Sequence, residues 1–362
     1  MSRATRAEIN LSALKHNLQV AREQTQSKQI AIVKANAYGH GLVEIARALT
    51  DADGFGVATI DEAISLRESG VYKPIVLLQG FNELTDLVLI HAYKLQPAIH
   101  NQQQLEIIEQ HAKHPLTVWL KIDTGMHRLG FHPDEASDIY KRLNECEPVQ
   151  TPVHLMTHLA CADDKDSAYT QQQLSMFTDT LQQLGDLIEH AQISIANSAG
   201  ILGWKDSHTQ WTRPGIMLYG SSPFANDVAE QQNLKPVMTL KSEVIAINEF
   251  KKGDSIGYGQ AYVCEKNMTI ATVAIGYGDG YPRHAKNGTP VLVNGKRVSL
   301  VGRVSMDMIT VDISDLKKVK LGDEVILWGQ GLPAEEVARD AETISYELFC
   351  NVTQRVKFLY SE

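Results

Sequence analysis

The sequence is poor in the features that mark secreted, membrane-spanning and metal-clustered proteins. It has four cysteines in 362 residues, and no two form a C-x-x-C pair, which favours reduced, mostly buried thiols over disulfides or a metal cluster. No run of about 18 apolar residues is present, so we expect no transmembrane helix. The first residues lack the apolar segment of a secretory signal. We therefore expect a cytoplasmic protein.

Positive charge is also scarce. The formal net charge is −9, which argues against a nucleic-acid-binding surface, because phosphate binding needs a basic field. The composition is otherwise ordinary for a folded protein, with 43% apolar and 21% charged residues. A chain of this length exceeds one small core, so we expect a large domain and a smaller one.

Short apolar runs alternate with helical patterns through the first 220 residues. Runs with helices between them indicate parallel strands, and eight such units in about 210 residues predict a (β/α)8 barrel. We expect the barrel to span residues 1–232, with about the first ten residues as candidates for the second domain. The eight runs lie at 29–33, 54–59, 74–78, 95–99, 116–122, 153–158, 193–196 and 215–220.

The pattern changes after about residue 232. Helical periodicity fades, and strand-like stretches such as MTLKSEVIAI, MITVDI and EVILWG follow. The stretch VLVNGKRV contains the Asn-Gly signal of a two-residue hairpin. Residues 233–362 are therefore predicted to form a mostly antiparallel β domain, with one short helix in ISYELFCNV.

Polar side chains follow the apolar runs at the point where most of them end. The carboxyl ends of barrel strands carry the active sites of such folds, so we expect these side chains to share one site. They are Lys34, Asn36, Lys121, Asp123, Arg128, His158, Asn197 and Ser198, and Arg213 joins them although it stands just before the eighth run.

Lys34 ends the first apolar run, although lysine is rarely buried. Apolar walls would lower its pKa from about 10.4 and make its amine a nucleophile toward carbonyls such as that of pyridoxal phosphate. A structural salt bridge would explain the position equally well. His154 and His158 share one strand face, but no third ligand is evident, so we expect no metal site.

The segment KANAYGHG (34–41) resembles the cofactor-lysine segment of alanine racemases. Further segments resemble that family's motifs in the same order along nearly the whole chain. They are KIDTGMHRLGF (121–131), THLACAD (157–163), ANSAG (196–200), RPGIMLYG (213–220), GYGQAY (257–262), IGYGDGYPR (275–283), VGRVSMD (301–307) and ISYE (344–347). The resemblance implies an isomerase that uses pyridoxal 5'-phosphate.

The resemblance also implies roles for individual residues. It makes Lys34 the cofactor lysine and the base on the D face of the substrate, and it makes Tyr258 the base on the L face. His158 would bridge Arg213 and Tyr258, and Arg213 would face the pyridine nitrogen. The implied cofactor-binding set is Lys34, Tyr38, His158, Asn197, Ser198, Arg213, Gly215, Ile216 and Tyr346.

For the substrate, the resemblance implies that Arg128 and the backbone of Met306 meet the carboxylate. It implies an inner gate of Tyr277 and Tyr346, while Asp307 and Arg283 anchor the surrounding region. His127 stands where many relatives have glycine. Lys121 matches a position that is carbamylated in some relatives; an unmodified Lys121 paired with Asp123 is the alternative, and the sequence leaves both open.

By resemblance, Lys34 and Tyr258 meet across a head-to-tail homodimer with shared sites. The expected activity is interconversion of L- and D-alanine, supplying D-alanine for peptidoglycan, with no nucleic-acid or membrane partner. A catabolic role is equally compatible. The competing hypotheses are a racemase of broader or serine specificity, a basic amino-acid decarboxylase, and a cofactor carrier, which would be a barrel without the β domain.

Overall fold

The computed structural model describes residues 4–362. Within that range, eight parallel strands close into a barrel, and another eight form one large, mostly antiparallel sheet. The predicted (β/α)8 barrel followed by a β domain is therefore confirmed. In the same range, no helix combines the length and apolarity needed to cross a bilayer.

The barrel strands are short and almost wholly buried, as parallel strands covered by helices must be. They are β2 (Lys28–Ile32), β3 (Gly54–Val57), β4 (Ile75–Leu77), β5 (Gln96–Ile99), β6 (Trp119–Lys121), β7 (His154–Met156), β8 (Ile193–Ser194) and β9 (Trp211–Thr212). The associated helices are α1 (Leu11–Thr25), α2 (Lys34–Tyr38), α3 (Leu42–Ala48), α4 (Ile60–Glu68), α5 (Asp86–Ala92), α6 (Gln102–His111), α7 (Ala136–Glu145), α8 (Ala168–Leu184) and α9 (Ser198–Gly203).

The prediction for the eighth strand was wrong. Residues 215–220 do not join the barrel; the strand is β9, and Ile216–Tyr219 forms a 3-10 turn. Pro214 has no N–H to donate to a ladder, which ends the strand before this run. The run is apolar because all four residues of the turn are buried. Arg213 consequently follows the eighth strand directly instead of preceding it.

The second sheet has the strand order β13-β16-β15-β14-β17-β10-β1-β18. Its strands are β1 (Arg6–Asn10), β10 (Met238–Phe250), β13 (Met268–Val273), β14 (Pro290–Val293), β15 (Lys296–Leu300), β16 (Ile309–Asp312), β17 (Glu324–Trp328) and β18 (Lys357–Ser361). The turn between β14 and β15 has Asn294 at φ 49° and Gly295 at φ 74°, as a two-residue hairpin of the predicted type requires.

Smaller elements complete the chain. A two-stranded ribbon joins β11 (Ser255–Ile256) to β12 (Tyr262–Val263), and helices α10 (Ala334–Asp340) and α11 (Ser345–Cys350) precede β18. The 3-10 turns are Pro133–Glu135, Gly185–Ile188, Lys205–Ser207, Ile216–Tyr219, Ala229–Gln232, Tyr258–Gln260 and Tyr277–Asp279.

Strand β1 precedes the barrel in sequence but lies in the second sheet. Arg6 is opposite Lys241 of β10 in antiparallel register and beside Lys357 of β18 in parallel register. The second sheet is therefore built from both sides of the barrel sequence.

The four cysteines are unpaired, but the expectation that most are buried was wrong. Cys264 is buried, Cys146 and Cys161 are partly buried, and Cys350 is exposed. Cys350 is the last residue of α11 and faces a cavity at the barrel mouth.

Candidate active site

A cavity of about 720 Å³ lies at the carboxyl ends of the barrel strands. It collects side chains that follow six different strands, together with two from helix α11. The predicted site residues that line it are Lys34, Tyr38, Lys121, Arg128, His158, Asn197, Ser198, Arg213, Gly215, Ile216 and Tyr346. The chain thus gathers cationic and hydroxyl groups from distant segments into one space.

Lys34 begins α2, whose next four residues form a left-handed turn instead of a right-handed helix. Ala35, Asn36, Ala37 and Tyr38 all have φ between 50° and 53°, a conformation that costs residues other than glycine roughly 1–2 kcal/mol each. The amide of Ala35 donates to Glu62 Oε1 at 2.7 Å, which holds the beginning of the turn. Burial lowers the pKa of Lys34, and the Arg128 guanidinium lowers it further.

Arg213 lines the cavity and is almost fully buried, with 4% of its surface exposed. Its Nη1 donates to Ser194 Oγ at 2.6 Å, and its Nη2 donates to the carbonyl oxygens of Thr157 at 2.6 Å and Ile195 at 3.0 Å. The same Nη2 lies 3.3 Å from Nδ1 of His158. Burial holds the pKa of His158 well below its usual range, and Arg213 adds to the effect.

Another part of the cavity is lined by hydroxyl and amide groups. The rings of Tyr38 and Tyr346 are 5.7 Å apart. Ser198 Oγ accepts a hydrogen bond from the Gly215 amide at 2.8 Å. A Cβ at Gly215 would lie 2.9 Å from the Tyr38 hydroxyl, so glycine allows the backbone to approach this tyrosine closely.

Lys121 and Arg128 add two further cations. Burial lowers the pKa of Lys121 to about 8, with a smaller effect from Arg213. Asp123 Oδ1 accepts hydrogen bonds from the amides of Gly125 at 2.9 Å and His127 at 3.0 Å. Asp123 raises the pKa of Lys121 and so opposes the effect of burial, although no ion pair between the two is found among residues 4–362. Both interpretations of Lys121 therefore stay open.

Seven predicted residues do not line this cavity. Two of them, Asn36 and Asp123, lie in the barrel and accept hydrogen bonds from backbone amides, and the other five lie in the β domain. Tyr258 is 69% exposed, Met306 is 52% exposed and Tyr277 is 38% exposed. Arg283 is exposed as well. Asp307 forms an ion pair with Arg355 at 2.5 Å. One copy of the chain therefore does not bring Lys34 and Tyr258 together.

Comparison with known proteins identifies the family. The family model for the alanine racemase N-terminal domain matches residues 9–223, and the model for the alanine racemase C-terminal domain matches residues 237–360. The chain belongs to the alanine racemase family. The family resemblance predicted from its motifs is confirmed, and with it the class of isomerases.

Individual relatives match over nearly their full lengths. An alanine racemase of Aeromonas hydrophila is 50% identical, with 99% of each chain covered. The crystal structure of a biosynthetic alanine racemase from Pseudomonas aeruginosa is 45% identical, with a TM-score of 0.96 and coverage of 99% and 100%. An alanine racemase structure from Bartonella henselae, with covalently bound pyridoxal phosphate, is 31% identical, with a TM-score of 0.88 and 99% of each chain covered.

The cavity residues fit the cofactor expected in the alanine racemase family. Lys34 supplies an amine of lowered pKa for an aldehyde. Arg213 has its Nη atoms engaged, while its Nε–H makes no hydrogen bond within residues 4–362 and is available for a ring nitrogen. Uncharged hydrogen-bond donors for a phosphate come from the hydroxyls of Tyr38 and Tyr346 and from the place where Ser198 meets Gly215. Among the described residues, no group of three or more His, Cys, Asp or Glu side chains could hold a metal ion.

Some residues around the site were missed by sequence reasoning. Arg355 forms ion pairs with both Asp279 and Asp307, and so joins the turns that carry Tyr277 and Met306. Gln173 of helix α8 makes hydrogen bonds to the loops that follow β6 and β7. Neither residue lies in a motif that resembles the alanine racemase family, and their partners are far away in sequence.

Proposed function

We propose that the protein interconverts L- and D-alanine, with pyridoxal 5'-phosphate as cofactor. The observation that carries the proposal is the cavity that gathers Lys34, Lys121, Arg128 and Arg213 at the barrel mouth. Such a site suits an anionic cofactor and an amino-acid carboxylate. The relative with covalently bound pyridoxal phosphate supports the choice of cofactor.

When bound, the cofactor supplies the electron sink that makes removal of the α-proton feasible. We assign Lys34 to its aldehyde, the Nε–H of Arg213 to its pyridine nitrogen, and Asn197 to a position beside its ring. Tyr38, Tyr346, Ser198 and the amides of Gly215 and Ile216 receive the phosphate. Because a guanidinium keeps its proton, Arg213 donates to the nitrogen and leaves it unprotonated.

Lys34 is the base on the D face of the substrate. Its lowered pKa raises the share of neutral amine, which is the form that accepts a proton. Tyr258 is the base on the L face, and its phenolate needs stabilisation, since a phenol in water has a pKa of about 10. His158 can supply that hydrogen bond, because its Nδ1 faces the Arg213 guanidinium, which favours an unprotonated Nδ1 and places the imidazole proton on Nε2.

Tyr258 reaches this cavity from a second copy of the chain. The proposed homodimer is head-to-tail, with the β domain of one copy over the barrel mouth of the other and two shared sites. Exposed apolar side chains on the β domain support it, because Tyr258, Tyr277, Met306 and Met308 are all more than a third exposed in one copy.

The substrate carboxylate meets Arg128 and the backbone of Met306 from the second copy. Arg283 and Asp307 anchor that region, and Tyr277 with Tyr346 forms a narrow gate that favours a methyl side chain. A carbamylated Lys121 would be anionic and would orient Arg128, and the pKa of Lys121, lowered to about 8, raises the share of the neutral amine that carbamylation requires. We place the activity in the cytoplasm, where it supplies D-alanine for peptidoglycan.

The test is to incubate purified protein with L-alanine, L-serine and L-lysine and to follow both enantiomers by chiral chromatography. Conversion of alanine to a near-equal mixture, by protein that absorbs visible light as a pyridoxal-phosphate enzyme does, is the expected result. Release of carbon dioxide would indicate a decarboxylase. Racemisation of serine at a similar rate would overturn the narrow gate, and cofactor binding without any turnover would indicate a carrier.

A further inference from the structure

We infer that helix α8 braces the two loops that carry Arg128 and His158, with Gln173 and Tyr169 as positioning residues. The inference rests on the proposed function and extends it, because it names residues that touch neither substrate nor cofactor. Helix α8 packs on the outside of the barrel, and neither side chain lines the cavity.

Gln173 is 1% exposed and bonds to both loops. Its Oε1 accepts from the Ala160 amide at 2.8 Å, and its Nε2 donates to the His158 carbonyl at 3.2 Å. The same Nε2 lies 3.4 Å from Thr124 Oγ1 in the loop after β6. Thr124 Oγ1 is in turn 2.9 Å from Thr157 Oγ1. The buried side-chain amide of Gln173 therefore holds the backbone on both sides of Leu159. It also joins this loop to the neighbouring loop after β6.

Tyr169 makes the second connection, one helical turn earlier. Its hydroxyl donates to the Gly125 carbonyl at 2.7 Å. A Cβ at Gly125 would lie 2.6 Å from this hydroxyl, and Gly125 has φ 133°. The backbone conformation of Gly125 therefore favours glycine, and the Tyr169 hydroxyl occupies the space that a Cβ would need, three residues before Arg128.

These contacts lead to the site by short paths. Thr124 contacts Thr157, and the Thr157 carbonyl accepts a hydrogen bond from Arg213. Nδ1 of His158 lies 3.3 Å from the same guanidinium. A loosened Gln173 would therefore disturb the His158–Arg213 pair, whereas a loosened Tyr169 would disturb mainly the loop of Arg128. Displacements of about 1 Å at such positions cost up to about 100-fold in rate.

The chain offers a matched control in Gln104 of helix α6. Gln104 is also buried, accepts from the His100 amide at 2.9 Å and donates to the Phe81 carbonyl at 2.8 Å. It therefore joins two neighbouring loops in a similar manner. The loop after β4 adds Leu78 and Gln79 to the cavity wall, but neither loop carries a residue to which we assign cofactor or substrate binding. Gln173→Leu and Gln104→Leu remove equivalent hydrogen bonds on different sides of the barrel.

The experiment measures steady-state kinetics with L-alanine and backbone hydrogen exchange on the holoenzyme without substrate. For Gln173→Leu we expect kcat/KM to fall by about 10- to 100-fold, mainly through kcat, with a shifted pH profile. Exchange should rise in residues 124–128 and 157–160. Tyr169→Phe removes one hydroxyl and should fold normally; we expect a higher KM, little change in kcat and faster exchange in residues 124–128 alone. Gln104→Leu should keep kcat/KM near the wild-type value.

Equal losses of activity for Gln173→Leu and Gln104→Leu would overturn the brace, as would unchanged exchange in both loops. If the wild-type protein does not racemise alanine, the proposed function fails instead. The hydrogen-exchange comparison needs no turnover, so it still decides whether α8 holds the two loops.

Discussion

Nη2 of Arg213 lies 3.3 Å from Nδ1 of His158, at the floor of the barrel cavity. A guanidinium carries only N–H groups, so it favours an unprotonated Nδ1 on the ring that faces it. Burial and the Arg213 charge hold the pKa of His158 well below its usual range, which favours the neutral ring. Its Nε2–H is then a fixed donor for a group that enters the cavity.

Replacement of His158 by leucine should change the pH profile of the reaction. Without the His158 donor the phenolate form of Tyr258 is less stabilised, so the acidic limb of kcat/KM should move to higher pH. Each unit of that shift lowers kcat/KM about tenfold on the acidic side. His154→Leu, at the other end of strand β7, is the control and should leave the profile unchanged. An unshifted limb in His158→Leu would remove His158 from this role.

Two inactive variants should restore activity when combined. In the proposed dimer, Lys34 of one copy works with Tyr258 of the other, so Lys34→Ala and Tyr258→Phe each destroy both sites. Co-expression with random pairing gives mixed dimers in half of the cases, each with one intact site, so about a quarter of wild-type activity should return. Mixed dimers without activity would show that each copy completes its own site.

Proton exchange should separate the two bases. In deuterium oxide, Tyr258→Phe still has Lys34 on the D face, so D-alanine should exchange its α-proton with retention while racemisation falls by about 100-fold or more. Proton NMR of the α-position and chiral chromatography measure the two rates. The visible absorbance of the cofactor should be unchanged. Equally fast exchange of L-alanine would contradict the assignment of Tyr258.

His40 should make the fold sensitive to acid. It is fully buried, its Nδ1 lies 2.9 Å from the Tyr38 carbonyl, and burial lowers its pKa to about 4. The unfolded chain takes up a proton as pH falls below 6.5 while the folded one does not, so stability is complete above pH 6.5 and declines down to about pH 4. One such group contributes about 3 kcal/mol to that loss.

Urea unfolding of His40→Leu at several pH values tests this dependence. The variant should lose less stability between pH 6.5 and pH 4 than the wild type, whatever its stability at neutral pH. His190→Leu removes an exposed histidine and should follow the wild-type pH dependence. Parallel curves for His40→Leu and the wild type would argue against the effect.

Ala35→Gly should stabilise the left-handed turn. Ala35 is exposed, with φ 53° and ψ 52°, a conformation that glycine adopts without the Cβ penalty. We expect the free energy of unfolding to rise by up to about 1 kcal/mol. Ala92→Gly in the right-handed helix α5 is the control and should lower it by about 0.5–1 kcal/mol. A loss of stability in both variants would show that packing of the Ala35 methyl outweighs the strain.

The sequence predicted the barrel because each unit contains a local signal, namely a short apolar run followed by a helical pattern. It failed at β9, where Trp211–Thr212 is too short to produce a periodic pattern and the longer apolar run beyond it is a buried turn. It did not predict helix α10 or strand β18. The left-handed turn at Ala35–Tyr38 runs against the preference of those residues and is held by contacts such as that with Glu62.

Most residues that line the cavity were predictable because motifs mark them, but the contacts that hold them in place were not. Gln173 looks like an ordinary helix residue in QQQLSMF, and only the fold brings it to Thr124 and Ala160. Arg355 likewise meets Asp307 from 48 positions away. The separation of Tyr258 from Lys34 within one copy is also a tertiary fact, because it depends on where the β domain lies relative to the barrel.

Strand β1 has a consequence for how the chain is made. It leaves the ribosome early, yet its partners in β10 and β18 follow only after the entire barrel sequence. Until then β1 has two unpaired edges. The large sheet cannot be completed before its last strand, β18, has been synthesised. Such long-range pairing is slow and exposes strand edges to aggregation. We therefore expect the barrel to form first, while β1 stays unpaired, and we expect the β domain to be the part of the chain that needs chaperones during synthesis.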